Sequence, residues 1–194
     1  MPRKRRTISV GIPHHITQRG VLRVNIFEET RDYEIYKELL RKEQLRYGLR
    51  IWAYCLMTNH VHLVAIPDDM ICLSLTIKNV HSNYARYFNS KKGRNGHLMQ
   101  QRFYSCPVPT EHVATAIRYV ERNPVAACMV DRCEDYLWSS ARANAGLVID
   151  DIIDQSFNPQ DISENWLEWI NDCNEREGEI SKQMKSATQR GSWF

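Results

Sequence analysis

Hydrophobic positions along this chain switch between a two-residue and a three-to-four-residue period, and each switch marks an element. A first strand is expected near residues 13–18, followed by a helix from Thr30 to Tyr47 in which Tyr33, Tyr36, Leu39, Leu40 and Tyr47 recur at helical intervals and Gly48 supplies the stop. Residues 49–56 alternate as a second strand. Met57-Thr58-Asn59 then turns the chain into a third strand that begins at His60 and ends near Pro67. A second helix is expected over 72–89 and a fourth strand within 101–109. Val113, Ala116, Ile117 and Val120 then fall at i, i+3, i+4 and i+7, a single apolar helical stripe, and Pro124 is expected to close that helix at Asn123. An amphipathic helix over 163–175 follows, before a polar tail. Strand, helix, strand, strand, helix, strand, helix is an α+β order, and it predicts an antiparallel sheet covered on one side by helices.

A chain of 194 residues with 43% hydrophobic content suits one well-packed domain and leaves little for a second. The expected division is a domain over 1–145 and a C-terminal helical and polar extension over 146–194. Formal charge is only +3, but its distribution is uneven. Arg3, Lys4, Arg5 and Arg6 form a basic arm, Arg19 and Arg23 follow, and Asp150, Asp151, Asp154, Asp161, Glu164 and Glu168 make the last quarter acidic. Such asymmetry favours a polyanion at one end, although a basic arm can equally be a solubilising tail. Arg86, Lys91, Lys92, Arg94 and Arg102, in and around a glycine-containing basic loop, are the further candidates for phosphate contact. The six cysteines include no Cys-x-x-Cys pair, which excludes a zinc ribbon and fits reduced thiols in a cytoplasm. No apolar run approaches the length of a membrane span.

The chemistry gathers at two places. His60 and His62 flank Val61 in an extended run, so both imidazoles emerge on the same face of the strand, as half of a metal site would. Imidazole suits Zn, Mn, Ni or Fe, and a mixed nitrogen and oxygen shell holds other divalent ions as well. On the late helix, Tyr119 lies about 110° from the centre of the apolar stripe and is poorly placed for the core. Asn123 is one turn further along that flank, so a phenol and a carboxamide can face one site.

His60-Val61-His62 after Met57-Thr58-Asn59, the segment Tyr119-Val120-Glu121-Arg122-Asn123-Pro124-Val125, and Asp135-Tyr136-Leu137-Trp138-Ser139-Ser140 together resemble the REP-associated tyrosine transposases of the one-tyrosine HUH superfamily. The opening run from Gly11 to Gly20 and the late Ala187-Thr188-Gln189-Arg190-Gly191 resemble the start and end of the same family. The resemblance implies a ferredoxin-like palm, Tyr119 as nucleophile, and His60, His62 and Asn123 as ligands of a divalent ion, Mg or Mn. It implies cleavage and rejoining of single-stranded DNA hairpins from repeated palindromes through a 5′-phosphotyrosine, with Gln18 and Arg19 among the DNA contacts. No small-molecule substrate or membrane is implied, and a monomer is expected, with a dimer the alternative. Thr58 stands where many relatives have proline. Two other readings stay open: a nucleic-acid-binding regulator that no longer cuts, and a zinc hydrolase using the two histidines, which lacks the acidic neighbour of His-Glu-x-x-His sites.

Overall fold

Four strands form one antiparallel sheet: β1 (His14–Arg19), β2 (Leu49–Met57), β3 (His60–Pro67) and β4 (Tyr104–Pro107), in the spatial order β2-β3-β1-β4. The computed structural model describes residues 8–172 together with Lys182, Met184 and Ser186. Helix α1 (Thr30–Tyr47) joins β1 to β2, and α2 (Cys72–Lys91) joins β3 to β4. The order of elements predicts the antiparallel sheet, and its connections are the split β-α-β of a ferredoxin-like fold, which the family resemblance implies. After β4 come α3 (Val113–Ala126), the short α4 (Ala141–Asn144) and α5 (Trp166–Asn171). Of the helix expected over 163–175, residues 173–175 lie outside the described residues, as do Arg3, Lys4, Arg5, Arg6 and the motif at 187–191.

The alternation of each strand divides the interior in two. Ile16, Tyr54, Leu56, Val61 and Leu63 face α1 and α2 and pack with Tyr36, Leu40, Ile77, Tyr84 and Phe88. Ala53, Cys55, Met57 and Val64 face the other way and pack with Val113, Ala116, Ile117 and Val120 of α3. The paired helices therefore occupy one face, as expected of them, while α3 takes the opposite face, the one from which His60 and His62 project. Each fully buried aliphatic or aromatic side chain contributes roughly 1.5–3 kcal/mol, so both layers are substantial.

The ends of α1 carry the signals its sequence implies. Asp32 Oδ2 accepts from the backbone N–H of Glu28 at 2.8 Å and of Glu29 at 3.2 Å. Gly48 adopts φ 69°, ψ 37° and closes the helix through its N–H to Gln44 O, a left-handed conformation that favours glycine.

The outer edge of β2 is covered by later chain, which shields an otherwise open sheet edge. Leu56 N donates to Trp138 O and Ser140 N to Tyr54 O, each at 2.9 Å. Beyond residue 145, where the sequence suggests an extension, Asp154 N donates to Ile51 O at 2.8 Å, and Asp150 accepts from Tyr54 Oη at 2.5 Å and Lys37 Nζ at 2.8 Å. Among the described residues no two cysteines are joined in a disulfide, and no helix is long and apolar enough to cross a membrane.

Candidate metal and nucleophile site

On the α3 side of the sheet, the register sets a row of polar side chains. His60 lies opposite Arg19 and His62 opposite Thr17 across the β1–β3 pair, so His15, Thr17 and Arg19 share the face of the two histidines. The His60 and His62 ring centroids are 4.9 Å apart. The Tyr119 ring sits edge-on to His62, centroid to centroid 5.6 Å, and to His15 at 5.8 Å. The phenol from the late helix and the imidazoles from the hairpin are thus in one place.

Each of the paired histidines is held at Nδ1 by a second side chain. His60 Nδ1 is 2.6 Å from Asn59 Oδ1, which can only accept, so this nitrogen carries the proton and Nε2 carries the lone pair. His62 Nδ1 is 2.9 Å from His15 Nε2. Burial pushes His60 down to about 4, with the Arg19 charge adding to it, and burial alone pushes His15 down to about 4. Neutral imidazoles at physiological pH are what a metal requires. Burial raises the Tyr119 phenol, and Arg19 draws it partly back.

Helix α3 does not end at Asn123. It continues through Pro124 to Ala126, and Ala127 N donates to Asn123 O at 3.0 Å. Proline leaves the Val120 carbonyl without its helical donor. Asn123 supplies one: its Nδ2 donates to Tyr119 O at 2.7 Å and reaches Val120 O at 3.4 Å. The carboxamide is thereby fixed, and its Oδ1 is the atom left to accept or coordinate. Among the described residues, no group of three or more His, Cys, Asp or Glu side chains is arranged to hold a metal ion. The donor set here is two imidazoles with non-acidic oxygens. It fits a divalent ion that completes its shell from a carboxamide, water or phosphate.

The opposite side of α3 anchors the helix. Glu121, fully buried, accepts from Ser140 Oγ and Asn144 Nδ2, both at 2.6 Å, and from Trp166 Nε1 at 3.1 Å. Burial pushes this carboxyl up to about 7 against the pull of those three donors. Arg118 and Arg122 donate to the Asp172 and Ile170 carbonyls at the end of α5. The Ser139-Ser140 pair thus packs α3 to β2.

The candidate phosphate contacts separate by position. Arg19 is exposed beside the histidines. Loop residues 92–103 return to that end of the sheet, where Gln100 N donates to Arg19 O at 2.8 Å and Val21 N to Leu98 O at 2.9 Å; Arg94 and Arg102 are exposed on that loop, and Arg86 is exposed at the end of α2. Lys91 is held by Glu29 and Asp32, each at 2.7 Å, and Lys92 by Glu28, so neither presents an uncompensated charge. Gln18 is placed differently from Arg19. Alternation along β1 turns it away from the histidines, it is 3% exposed, and its Nε2 donates to Gln100 O at 2.8 Å, which leaves it a structural role. His15 and Tyr104 were not among the expected site residues. Tyr104 pairs with Thr17 on the histidine face and is 53% exposed, a flat ring open to a ligand. Its strand signal was visible in the sequence, but its face depends on register.

Paired histidines from a hairpin and a helix-borne tyrosine meet on one face of a ferredoxin-like sheet. Residues 10–123 match the family model described as transposase, IS200-like, and the chain belongs to that family, enzymes of the transposase type. Among solved structures it resembles a REP-associated tyrosine transposase bound to a REP hairpin, at 21% identity and a TM-score of 0.61, over 80% of this chain and 96% of that one. It also resembles a protein from Deinococcus radiodurans assigned as a transposase, at 20% identity and a TM-score of 0.42, over 62% and 97%. No curated protein matches the chain.

Proposed function

We propose that this protein is a metal-dependent endonuclease and strand transferase for single-stranded DNA, acting on hairpin-forming repeated palindromes through a 5′-phosphotyrosine. The observation that carries this reading is the Tyr119 ring 5.6 Å from His62, beside a histidine pair whose Nδ1 atoms are already hydrogen-bonded. A zinc hydrolase takes its nucleophile from water and does not require a phenol there. The REP hairpin bound by the structural relative supports the substrate class.

In this reading His60 and His62 hold the divalent ion, Mg or Mn, with Asn123 Oδ1 as the third protein ligand. When bound, such an ion would supply Lewis-acid charge at the scissile phosphate. Tyr119 Oη attacks the phosphorus in line. Its bond to phosphorus forms as the P–O3′ bond breaks, the phenolic proton leaves to solvent, and the departing 3′ oxygen takes up a proton. One phosphodiester replaces another, so a 3′-hydroxyl can later attack the phosphotyrosine and rejoin strands without a nucleotide cofactor. A raised phenol is a weak nucleophile at neutral pH, which leaves orientation and local positive charge, including Arg19, to provide most of the rate.

The test is incubation of the protein with end-labelled single-stranded hairpins and Mg²⁺ or Mn²⁺, followed by denaturing electrophoresis. A protein-linked band that disappears in Tyr119→Phe and in His62→Ala is the expected result. Hairpin cleavage that survives Tyr119→Phe with no adduct would establish a water nucleophile instead. Binding without cleavage in any divalent ion would establish the non-cutting regulator.

A further inference from the structure

We propose that His15 is a positioning residue for the site: it accepts a hydrogen bond from His62 Nδ1 and so fixes the tautomer that turns the His62 Nε2 lone pair toward the cation. The proposal rests on the metal-dependent reading above and assigns a role to a residue outside its ligand set.

His14 and His15 are adjacent in sequence but meet different partners. His14 is occupied by backbone: its Nδ1 lies 2.8 Å from Ile12 O, and its Nε2 accepts from Ser9 N at 3.3 Å. Alternation puts His15 on the other face, only 2% exposed, where its Nε2 lies 2.9 Å from His62 Nδ1 and the two ring planes are within 7° of parallel. A proton between two such nitrogens can belong to either. If His15 donated it, His62 would carry its own proton on Nε2 and could not bind a cation through that atom. If His62 donates it, the ligand is oriented as metal-bound histidines usually are, with the second nitrogen anchored by an outer group. His60 already shows this arrangement, because Asn59 Oδ1 can only accept. The two histidines are then alike, one oriented by a carboxamide and the other by an imidazole. His15 also meets the Tyr119 ring edge-on at 5.8 Å, with the planes at 90°, so the group that orients His62 limits where the phenol can lie.

Two measurements on the full chain test this. In the metal-free wild type, long-range ¹H–¹⁵N correlation should show His62 protonated at Nδ1; protonation at Nε2 would overturn the proposal without any variant. Mn²⁺ binding, read from the electron paramagnetic resonance of the free ion, should weaken about 10- to 100-fold in His15→Phe, which fills the space without an acceptor. His15→Gln, which restores an acceptor, should recover most of the affinity. If His62→Ala loses Mn²⁺ while both His15 variants bind as wild type, His15 has no such role and the metal reading stands. If the wild type itself binds no Mn²⁺, the metal reading fails and this proposal with it. Should His15→Phe not fold, His15→Gln and the tautomer measurement still decide.

Discussion

Glu121 ties α3 to β2 and to the later helices through a buried cluster, and its removal has a calculable effect. Three buried donors converge on its carboxylate, from Ser140, Asn144 and Trp166. In Glu121→Ala the Trp166 indole N–H loses its described partner and bears the desolvation cost of a stranded donor, about 1–3 kcal/mol. Ser140 Oγ keeps Tyr54 O at 3.3 Å and Asn144 Nδ2 keeps Trp52 O at 3.0 Å, so each of these loses part of its hydrogen bonding. With the lost packing and the partial losses at Ser140 and Asn144, the total is about 2–4 kcal/mol, the upper part of the range for a single substitution that strands a buried neutral donor. Glu121→Gln preserves the shape but offers one oxygen and one NH₂ to three donors. Whichever way the amide turns, at least one N–H meets another, and about 1–3 kcal/mol should be lost. Urea unfolding monitored by circular dichroism reads both values from the midpoints, provided the slopes agree. Ser140→Ala should cost less in the Glu121→Ala background than in the wild type, because the shared bond is already gone. A loss below about 1 kcal/mol for Glu121→Ala, or equal losses for Ala and Gln, would show that the cluster does not hold the helix.

Asp32 provides a pH test at a distance from the site. Its burial raises the carboxyl, but hydrogen bonds from Lys91, the Glu28 N–H, Tyr87 and the Glu29 N–H outweigh that and hold it below its ordinary 3.8. A folded-state value depressed in this way contributes stability above the unfolded value and loses it as pH falls through the folded one. Asp32→Asn should therefore melt lower than wild type at neutral pH, and the gap should narrow as the pH falls below the ordinary 3.8 of the carboxyl; a gap independent of pH would refute the assignment. Tyr104 and Arg19 can be separated by salt. If the Tyr104 ring stacks on an unpaired base, Tyr104→Ala should weaken hairpin binding by about 1–3 kcal/mol with the salt slope unchanged. Arg19→Ala should flatten the slope of log affinity against log salt by about one phosphate's share, and an unchanged slope would remove Arg19 from the contact set.

What was legible in the sequence was whatever rests on local periodicity. The alternation of β2 and β3, the apolar stripe of α3 and the stop at Gly48 are each set within a few residues, and the structure places α1 at Thr30–Tyr47, the range its spacing predicts. The same logic put His60 and His62 on one face and Tyr119 off the apolar stripe. Pro124 misled because its usual effect is local and its remedy is not in the backbone: the preceding carboxamide donates to the Val120 carbonyl that proline leaves unpaired, and the helix runs on. Gln18, His15 and Tyr104 needed something that no window of residues contains. Which strand lies beside β3, and in which register, decides that His15 meets His62, that Tyr104 shares its face and that Gln18 does not. Sheet order β2-β3-β1-β4 brings segments distant in sequence into one row, so the outer partners of this site are a property of topology. A shift of one residue between β1 and β3 would leave every predicted element intact. It would also turn His15 and Arg19 into the opposite core and leave His62 without its partner.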